Sequence, residues 1–362
     1  MSTDIETISM LRDSAQRYAA EHYDFLTRWK ILDQALGCSA QAWNDYADFG
    51  WLALRLPEDD GGIDANAAAI GALMEVAGSR LLMEPLLASA IIGTGLLLRH
   101  GSDAQKAEWF PKLADGSLKL AFAHEDAPDA ACLLRDGRLS GGKVGVLHGD
   151  IADRLIVSAR NEDDEVVLCT VPADAATCRA YRLVDGRGAA KFRFDNARAE
   201  QLGHAGKMAS EAIALALDEA AVAMCAEACG VISSLVAITC DYLKVRKQFG
   251  KPIGTNQALQ HRMVDMYLLQ EEARALINAA QQAMELPEAE RTRIVSGARA
   301  YIGGAVRRVA NEAVQMHGGL GITEELDVSH YFRRAMVIDN LFGGRDAQFE
   351  RFVAATLDDG GR

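Results

Sequence analysis

The chain has 362 residues, 49% hydrophobic and 25% charged, with 51 acidic against 38 basic side chains and a formal net charge of −13. Its length predicts two or three subdomains, and the acidic balance argues against nonspecific binding to nucleic acid or to an anionic membrane surface. The start, MSTDIETISM, lacks the basic stretch and apolar core of a secretory signal, and the apolar run at 86–98 is too short and too glycine-rich to span a bilayer. Seven scattered cysteines without paired spacing predict reduced thiols, a cytoplasmic setting and no metal site; Cys225 and Cys229 read as small buried residues of one helix.

Along residues 5–118 apolar residues recur at helical spacing: Leu11, Ala15, Tyr18 and Ala19, then Trp43, Tyr46 and Ala47. The turn formers Pro57, Glu58, Asp59, Asp60, Gly61 and Gly62 interrupt this pattern, and helices are expected again over 65–77 and 86–99. Between 119 and 204 the period changes to two, with strand-like runs at 154–158, 165–170 and 191–194 separated by Asp, Asn and Gly. Helices return at 210–245, 257–284, 291–316 and 330–338, with a break at Pro287. The expected organisation is α+β: a helical bundle over 1–118, a β-barrel or sandwich over 119–204, and a four-helix bundle over 205–362. Such bundles often bury a face against a twin.

The most informative stretch is 241–266, DYLKVRKQFGKPIGTNQALQHRMVDM. One helix runs to Arg246 and Lys247, breaks at Gly250-Lys251-Pro252, and a second begins near Thr255 and Asn256. Cations at one helix end beside a fresh helix N-terminus form a cradle for phosphate, because free N–H groups and the helix dipole both favour an anion. The same residues also suit a plain helix hairpin whose Arg and Lys complement C-terminal carbonyls.

This segment resembles the hallmark of the acyl-CoA dehydrogenase family, an Arg-x-x-Phe-Gly turn with a Gln further along, here Arg246, Phe249, Gly250 and Gln257. A second stretch, QMHGGLGITEELDVSHYFRRA, resembles the family's other flavin-contacting segment, with Gln315, Gly318, Gly319 and Gly321 in register. The resemblance extends to LPEDDGG at 56–62 and to the passage at 100–126, and so covers essentially the whole chain. It implies FAD as cofactor, an acyl-CoA thioester as substrate, α,β-dehydrogenation as reaction and an electron-transfer flavoprotein as acceptor. Arg246, Phe249, Gln257, Gln315, Gly318 and Gly319 are the implied cofactor-binding residues.

The resemblance fails where proton chemistry is done. The family's usual base, a Glu before Gly-Thr, falls at Phe342 when counted from Gln315, and phenylalanine accepts no proton. The alternative base position on the preceding long helix falls at Ala220. Its neighbour Glu219 is a substitute candidate, although one helical step turns a side chain by about 100°. The family's "TEPGAGSD" loop reads His124-Glu125-Asp126-Ala127-Pro128-Asp129-Ala130, and its aromatic "W-I-T" strand falls near Gly145-Val146-Leu147. His124 and His148 are either polar replacements or structural residues.

These residues imply a subunit of a heterotetrameric dehydrogenase, similar to those acting on steroid side-chain CoA thioesters. It would contribute FAD contacts to a related partner subunit that carries the catalytic Glu. Two alternatives are a self-sufficient homo-oligomer using Glu219 or Glu125 as base, and a flavin-free scaffold.

Overall fold

The computed structural model describes residues 4–34 and 37–359. Asp4 caps α1 (Ile5–His22) by accepting the Thr7 N–H at 2.7 Å; α2 (Phe25–Leu32), the Ser39-capped α3 (Ala40–Asp48) and α4 (Ala67–Arg80) follow. The helix predicted over 86–99 is of two kinds. Leu86–Gly93 is π-helical and only Thr94–His100 (α5) is α-helical; the Thr94 hydroxyl donates to the Ser89 carbonyl at 3.0 Å within this wide turn. A reciprocal capping box between Ser102 and Gln105 starts α6 (Asp103–Ala114).

The strands are β1 (Leu120–Ala123), β2 (Leu133–Arg135), β3 (Arg138–Leu147), β4 (Arg154–Arg160), β5 (Val166–Pro172), β6 (Thr177–Arg182), β7 (Gly188–Arg198) and β8 (Glu200–Leu202). They form one eight-stranded mixed sheet in the order β6-β7-β3-β2-β4-β5-β8, with β1 parallel to β4. Leu155, Val157, Val167, Cys169, Val171, Phe192 and Phe194 form its core. Along β7 burial alternates from Lys191 to Asp195, the signature of a strand with one wet face.

The remaining helices are α7 (Lys207–Val245), α8 (Gln257–Ala283), α9 (Glu288–His317), α10 (Asp327–Asn340) and α11 (Gly344–Asp359), with α9 packed against α8, α10 and α11. The sequence reading weighed only the run at 86–98 as a membrane span, but α7 is by length and composition long and apolar enough, with a mean hydropathy of 2.0 over its most apolar window. Because 72% of that window is buried within the fold, its apolar circumference serves as protein core.

The chain divides into two compact units, one comprising Trp29–Asn66 and Met83–Ala220, the other Asp4–Arg28, Ala67–Leu82 and the residues from Ala221 onward. In the second unit α4 and α7 meet backbone to backbone. A Cβ added to Gly78 would lie 1.9 Å from the Glu227 carbonyl, and one added to Gly230 would lie 2.0 Å from the Glu75 carbonyl. In the turn after this crossing, Arg334 of α10 donates to Glu227 at 2.6 Å and to the Leu82 carbonyl at 3.0 Å, with both charged side chains 1% exposed. Gly230→Ala is therefore expected to force the two helices apart and cost about 1–3 kcal/mol, read as a lower denaturant midpoint with an unchanged m-value.

Candidate functional site

The corner predicted at 241–266 is built in the second unit by a helix end, a miniature hairpin and a helix start. Lys247-Gln248 pairs antiparallel with Lys251-Pro252, and the two residues between, Phe249 and Gly250, both have positive φ, 51° and 82°. Positive φ at both central positions is what a two-residue type I′ hairpin requires, and glycine fits the second position without strain. Phe249 carries the strain of the first, and its side chain is fully exposed. The Ile253 N–H donates to the Arg246 carbonyl at 2.8 Å and closes the corner, leaving the Arg246 side chain exposed. Asn256 occupies the N-cap position of α8, and Gln257, its first residue, is exposed.

The second predicted segment lies at the end of α9. Gln315 is exposed in its last turn, Gly318 takes φ 65°, and its N–H donates to the Gln315 carbonyl. Neither Gly318 nor Gly319 would bring a Cβ within 4 Å of another atom, so both backbones face open space. The structure joins the two segments through residues that the sequence reading did not single out. Tyr242 stacks on His317 with ring centroids 4.2 Å apart and an interplanar angle of 26°, and its hydroxyl reaches the His317 carbonyl at 3.4 Å. Tyr242 lies one helical turn before Arg246, and His317 two residues after Gln315, so their spacing from the motifs was the available signal.

Phe342 sits in a turn at φ 52°, ψ 51°, between α10 and α11, and its carbonyl accepts from Gln348 Nε2 at 3.2 Å. Buried Arg299 of α9 supports the same turn by donating to the Ile338 and Leu341 carbonyls. Of the neighbouring acids, Asp339 is buried 3.5 Å from Arg307, and Asp346 is exposed beside Arg345.

Glu219 belongs to the first unit and is fully engaged. Arg55 and Arg99 each donate twice to its carboxylate, at 2.6–2.8 Å. Burial pushes the carboxyl up, but the two guanidiniums outweigh it and hold its pKa below the usual range. A carboxylate gripped in this way is a weaker base than a free one, and its neighbour Ala220 is buried. Gly95 leaves room for both guanidiniums, since a Cβ there would lie 2.8 Å from Arg55 Nη1 and 3.1 Å from Arg99 Nη2.

The altered loop after β1 is closed on itself. Lys143, 1% exposed, donates to the His124 carbonyl at 2.6 Å and to Ser158 Oγ at 3.2 Å, and pairs with Asp126 at 2.7 Å. His124 Nδ1 lies 3.0 Å from Ser158 Oγ, and burial together with the Lys143 charge lowers its pKa. Glu125 is exposed. Gly145, where the aromatic of the resembled strand falls, has φ 65° within a β-bulge. His148 is buried with Nε2 3.0 Å from the Met83 carbonyl, a structural role.

The geometry combines an exposed, basic, glycine-containing corner joined to the end of α9 with a turn at 341–343 that carries no acid. Sequence comparison shows which class this is. Residues 6–117 match the acyl-CoA dehydrogenase N-terminal domain and residues 210–357 the acyl-CoA dehydrogenase C-terminal domain. Among curated relatives, acyl-CoA dehydrogenase IpdE2 of Mycolicibacterium smegmatis is 27% identical over 350 residues, covering 96% of this chain and 98% of the relative. Acyl-CoA dehydrogenase FadE12 of Mycobacterium tuberculosis is 30% identical, covering 80% and 81%. Among solved structures, the Tcur3481-Tcur3483 steroid ACAD G363A variant aligns with a TM-score of 0.90 at 26% identity, covering 99% of each chain. The ChsE4-ChsE5 complex of Mycobacterium tuberculosis shares the fold, with a TM-score of 0.89 at 22% identity and 98% of each chain covered. The chain belongs to the acyl-CoA dehydrogenase family, FAD-dependent oxidoreductases acting on acyl-CoA.

One interaction ties the second motif into the fold and titrates. Arg28 Nη1 lies 2.7 Å from His330 Nδ1, which must accept, so the Nε2–H donates to the Glu324 carbonyl at 3.1 Å and the ring is neutral. Burial, reinforced by the Arg28 and Arg333 charges, lowers the His330 pKa from 6.5 to about 4. The unfolded chain therefore binds the proton first on acidification. This contribution, about 3 kcal/mol, is full above the unfolded value of 6.5 and is lost as pH falls from 6.5 towards 4. Chemical denaturation across that window is expected to show a slope in the native protein and a shallower one in His330→Gln, with the difference being the share of His330.

Proposed function

We propose that this chain is the base-lacking subunit of a heterotetrameric acyl-CoA dehydrogenase, contributing contacts to the FAD diphosphate and adenosine while a related partner subunit supplies the catalytic Glu. The observation that carries this reading is a contrast. Arg246, Phe249, Gln257 and Gln315 are all exposed on the two segments that Tyr242 and His317 join, whereas Phe342 occupies the position that counting from Gln315 gives for the family's base.

The residues present fit the cofactor. Arg246 would neutralise the diphosphate, and Gln257, Gln315 and the open backbone at Gly318 and Gly319 would hydrogen-bond it. Phe249, held outward at positive φ, would pack beside the adenosine. FAD, when bound, supplies the hydride acceptor for α,β-dehydrogenation of the acyl-CoA thioester. The locked loop at 124–130 and the bulge at Gly145 support the view that the ring is held by another chain. A steroid side-chain thioester as substrate is supported by the likeness to the Tcur3481-Tcur3483 steroid ACAD, and an electron-transfer flavoprotein is the proposed acceptor.

Purified with its partner, the complex is expected to hold about one FAD per two chains. Arg246→Ala on this chain should lower the FAD affinity of the complex by tenfold or more, the loss of a charge-assisted contact. Full flavin occupancy and acyl-CoA oxidation by this chain alone would overturn the reading.

Substitution of Glu219 separates the proposed reading from the self-sufficient alternative that uses Glu219 as base. Glu219→Ala is expected to cost about 3 kcal/mol of stability, because it strands the buried guanidinium of Arg55 and the part-buried one of Arg99. Turnover per bound FAD in the folded complex should stay unchanged; abolished turnover at native stability would instead favour Glu219 as base.

A further inference from the structure

We propose that the outer face of the sheet in the first unit, where β2, β3, β7 and β6 lie side by side, docks an acidic protein surface that presents a row of Asp and Glu carboxylates. The inference rests on that sheet alone and is independent of the proposed function. Burial decides which side is the outer one. Leu134, Leu139, Phe192, Phe194 and Ala197 belong to the core of the sheet, and their chain neighbours Arg135, Arg138, Lys191, Arg193 and Arg198 are exposed on the opposite side.

The register shows how these cations meet. Arg135 of β2 stands directly opposite Arg138 of β3, and Arg138 directly opposite Arg198 of β7, a row of three arginines across three adjacent strands. Nearer the start of β7, Lys191 stands directly opposite Arg179 of the edge strand β6, also exposed, and Arg193 opposite Thr177. Directly opposed residues share a face with Cβ atoms about 5 Å apart, and like charges so placed are destabilising. A random scatter would intersperse acids here, because acids outnumber bases by 51 to 38. Yet Asp136 in the turn between β2 and β3 and Asp195 on β7 pair with none of the six cations, and no other acid among the described residues does. Their one side-chain hydrogen bond among the described residues runs from Arg138 to the Asn196 carbonyl at 3.3 Å.

Six cations without acid partners on one face, in a chain of net charge −13, make a local field that attracts and orients an acidic partner. Carboxylates laid along the three-arginine row would relieve the repulsion and accept charge-assisted, bidentate hydrogen bonds. The arrangement thus costs stability in the free chain and regains it on binding. Shape and composition give the class of the occupant. A sheet face is broad, whereas a small anion is usually held in a concave site. Five of the six cations are Arg, the basic residue enriched at protein interfaces, where Lys is depleted. An extended polyanion such as a nucleic acid or a bilayer would also meet the acidic remainder of the chain and be repelled by it; a protein brings its carboxylates to the patch alone.

The full-length chain, alone and with its partner, would be titrated at low and at physiological salt with deca-glutamate, with an oligothymidylate of equal charge and with vesicles of phosphatidylserine and phosphatidylcholine. Deca-glutamate is expected to bind most tightly of the three, less tightly as salt rises, and about tenfold or more weakly in the double variant Arg138→Glu, Arg193→Glu. Arg138→Thr is the milder variant. It should weaken the same binding while leaving Tm at or above the native value, because it removes a like-charge opposition. Lys247→Gln with Lys251→Gln, at the basic corner of the second unit, should leave deca-glutamate affinity unchanged. No binding of deca-glutamate, unchanged binding in both sheet variants, loss of binding in the corner variant instead, or tighter binding of the oligothymidylate or the vesicles overturns the proposal.

Discussion

Two glycines set the spacing on which the second unit depends. Gly78 and Gly230 let α4 and α7 approach until each backbone lies where the other's Cβ would be, and that approach places Glu227 in reach of Arg334. A buried ion pair is weak evidence of net stability, because desolvating two charges offsets most of their attraction. Its effect here is geometric. Arg334 also takes the carbonyls at the end of α4, so α10 has one seat against α7, and any other would strand a buried guanidinium. Tyr331, donating to the Ser79 carbonyl, and the contact between Arg28 and His330 fix the same helix from its other sides.

From that seat the position of the turn at Phe342 follows. Arg299 holds the carbonyls where α10 ends, and the chain reverses through a left-handed residue into α11. The turn is thus supported as firmly as a catalytic turn would need to be, yet it carries an aromatic ring. The nearest acids offer no substitute: Asp339 is committed near Arg307, and Asp346 lies in solvent. What remains available for binding is cationic and exposed. Three basic side chains, Arg246, Lys247 and Lys251, lie at the corner, with Lys244 nearby paired to Asp241, in a chain whose net charge is −13, a local excess opposite in sign to the whole.

The first unit manages its charges differently. Arg55, Arg99 and Glu219 form a closed triad, and Lys143 closes the loop after β1 around three partners. In both places the polar groups are consumed by one another, in keeping with a region that stabilises structure. Charges hydrogen-bonded to one another in this way hold geometry well and are poorly placed to exchange protons with a ligand.

Much of this was legible in the chain. Periods of 3.6 and 2 located α1, α3, α7, α8 and α9 and strands β4, β5 and β7, because long amphipathic or apolar runs bury one face whatever they pack against. Phe249-Gly250 marked a tight turn, and counting from Gln315 put Phe342 in a short connection, since both depend on local order along the chain. What only the tertiary structure decided was pairing across distance. The strands β2, β3, β6 and β8 are short or glycine-broken and exist through their neighbours; the π-helical turn at Leu86–Gly93 is indistinguishable from α-helix by composition. Nothing in the order of residues says that Arg55 and Arg99 meet at Glu219, and the spacing of Tyr242 and His317 from the two motifs marks the pair without giving the stacking of their rings. Sequence fixes which charges and rings exist, whereas the entropy of closing long loops around them is repaid only by the packed fold, so their partners appear only there.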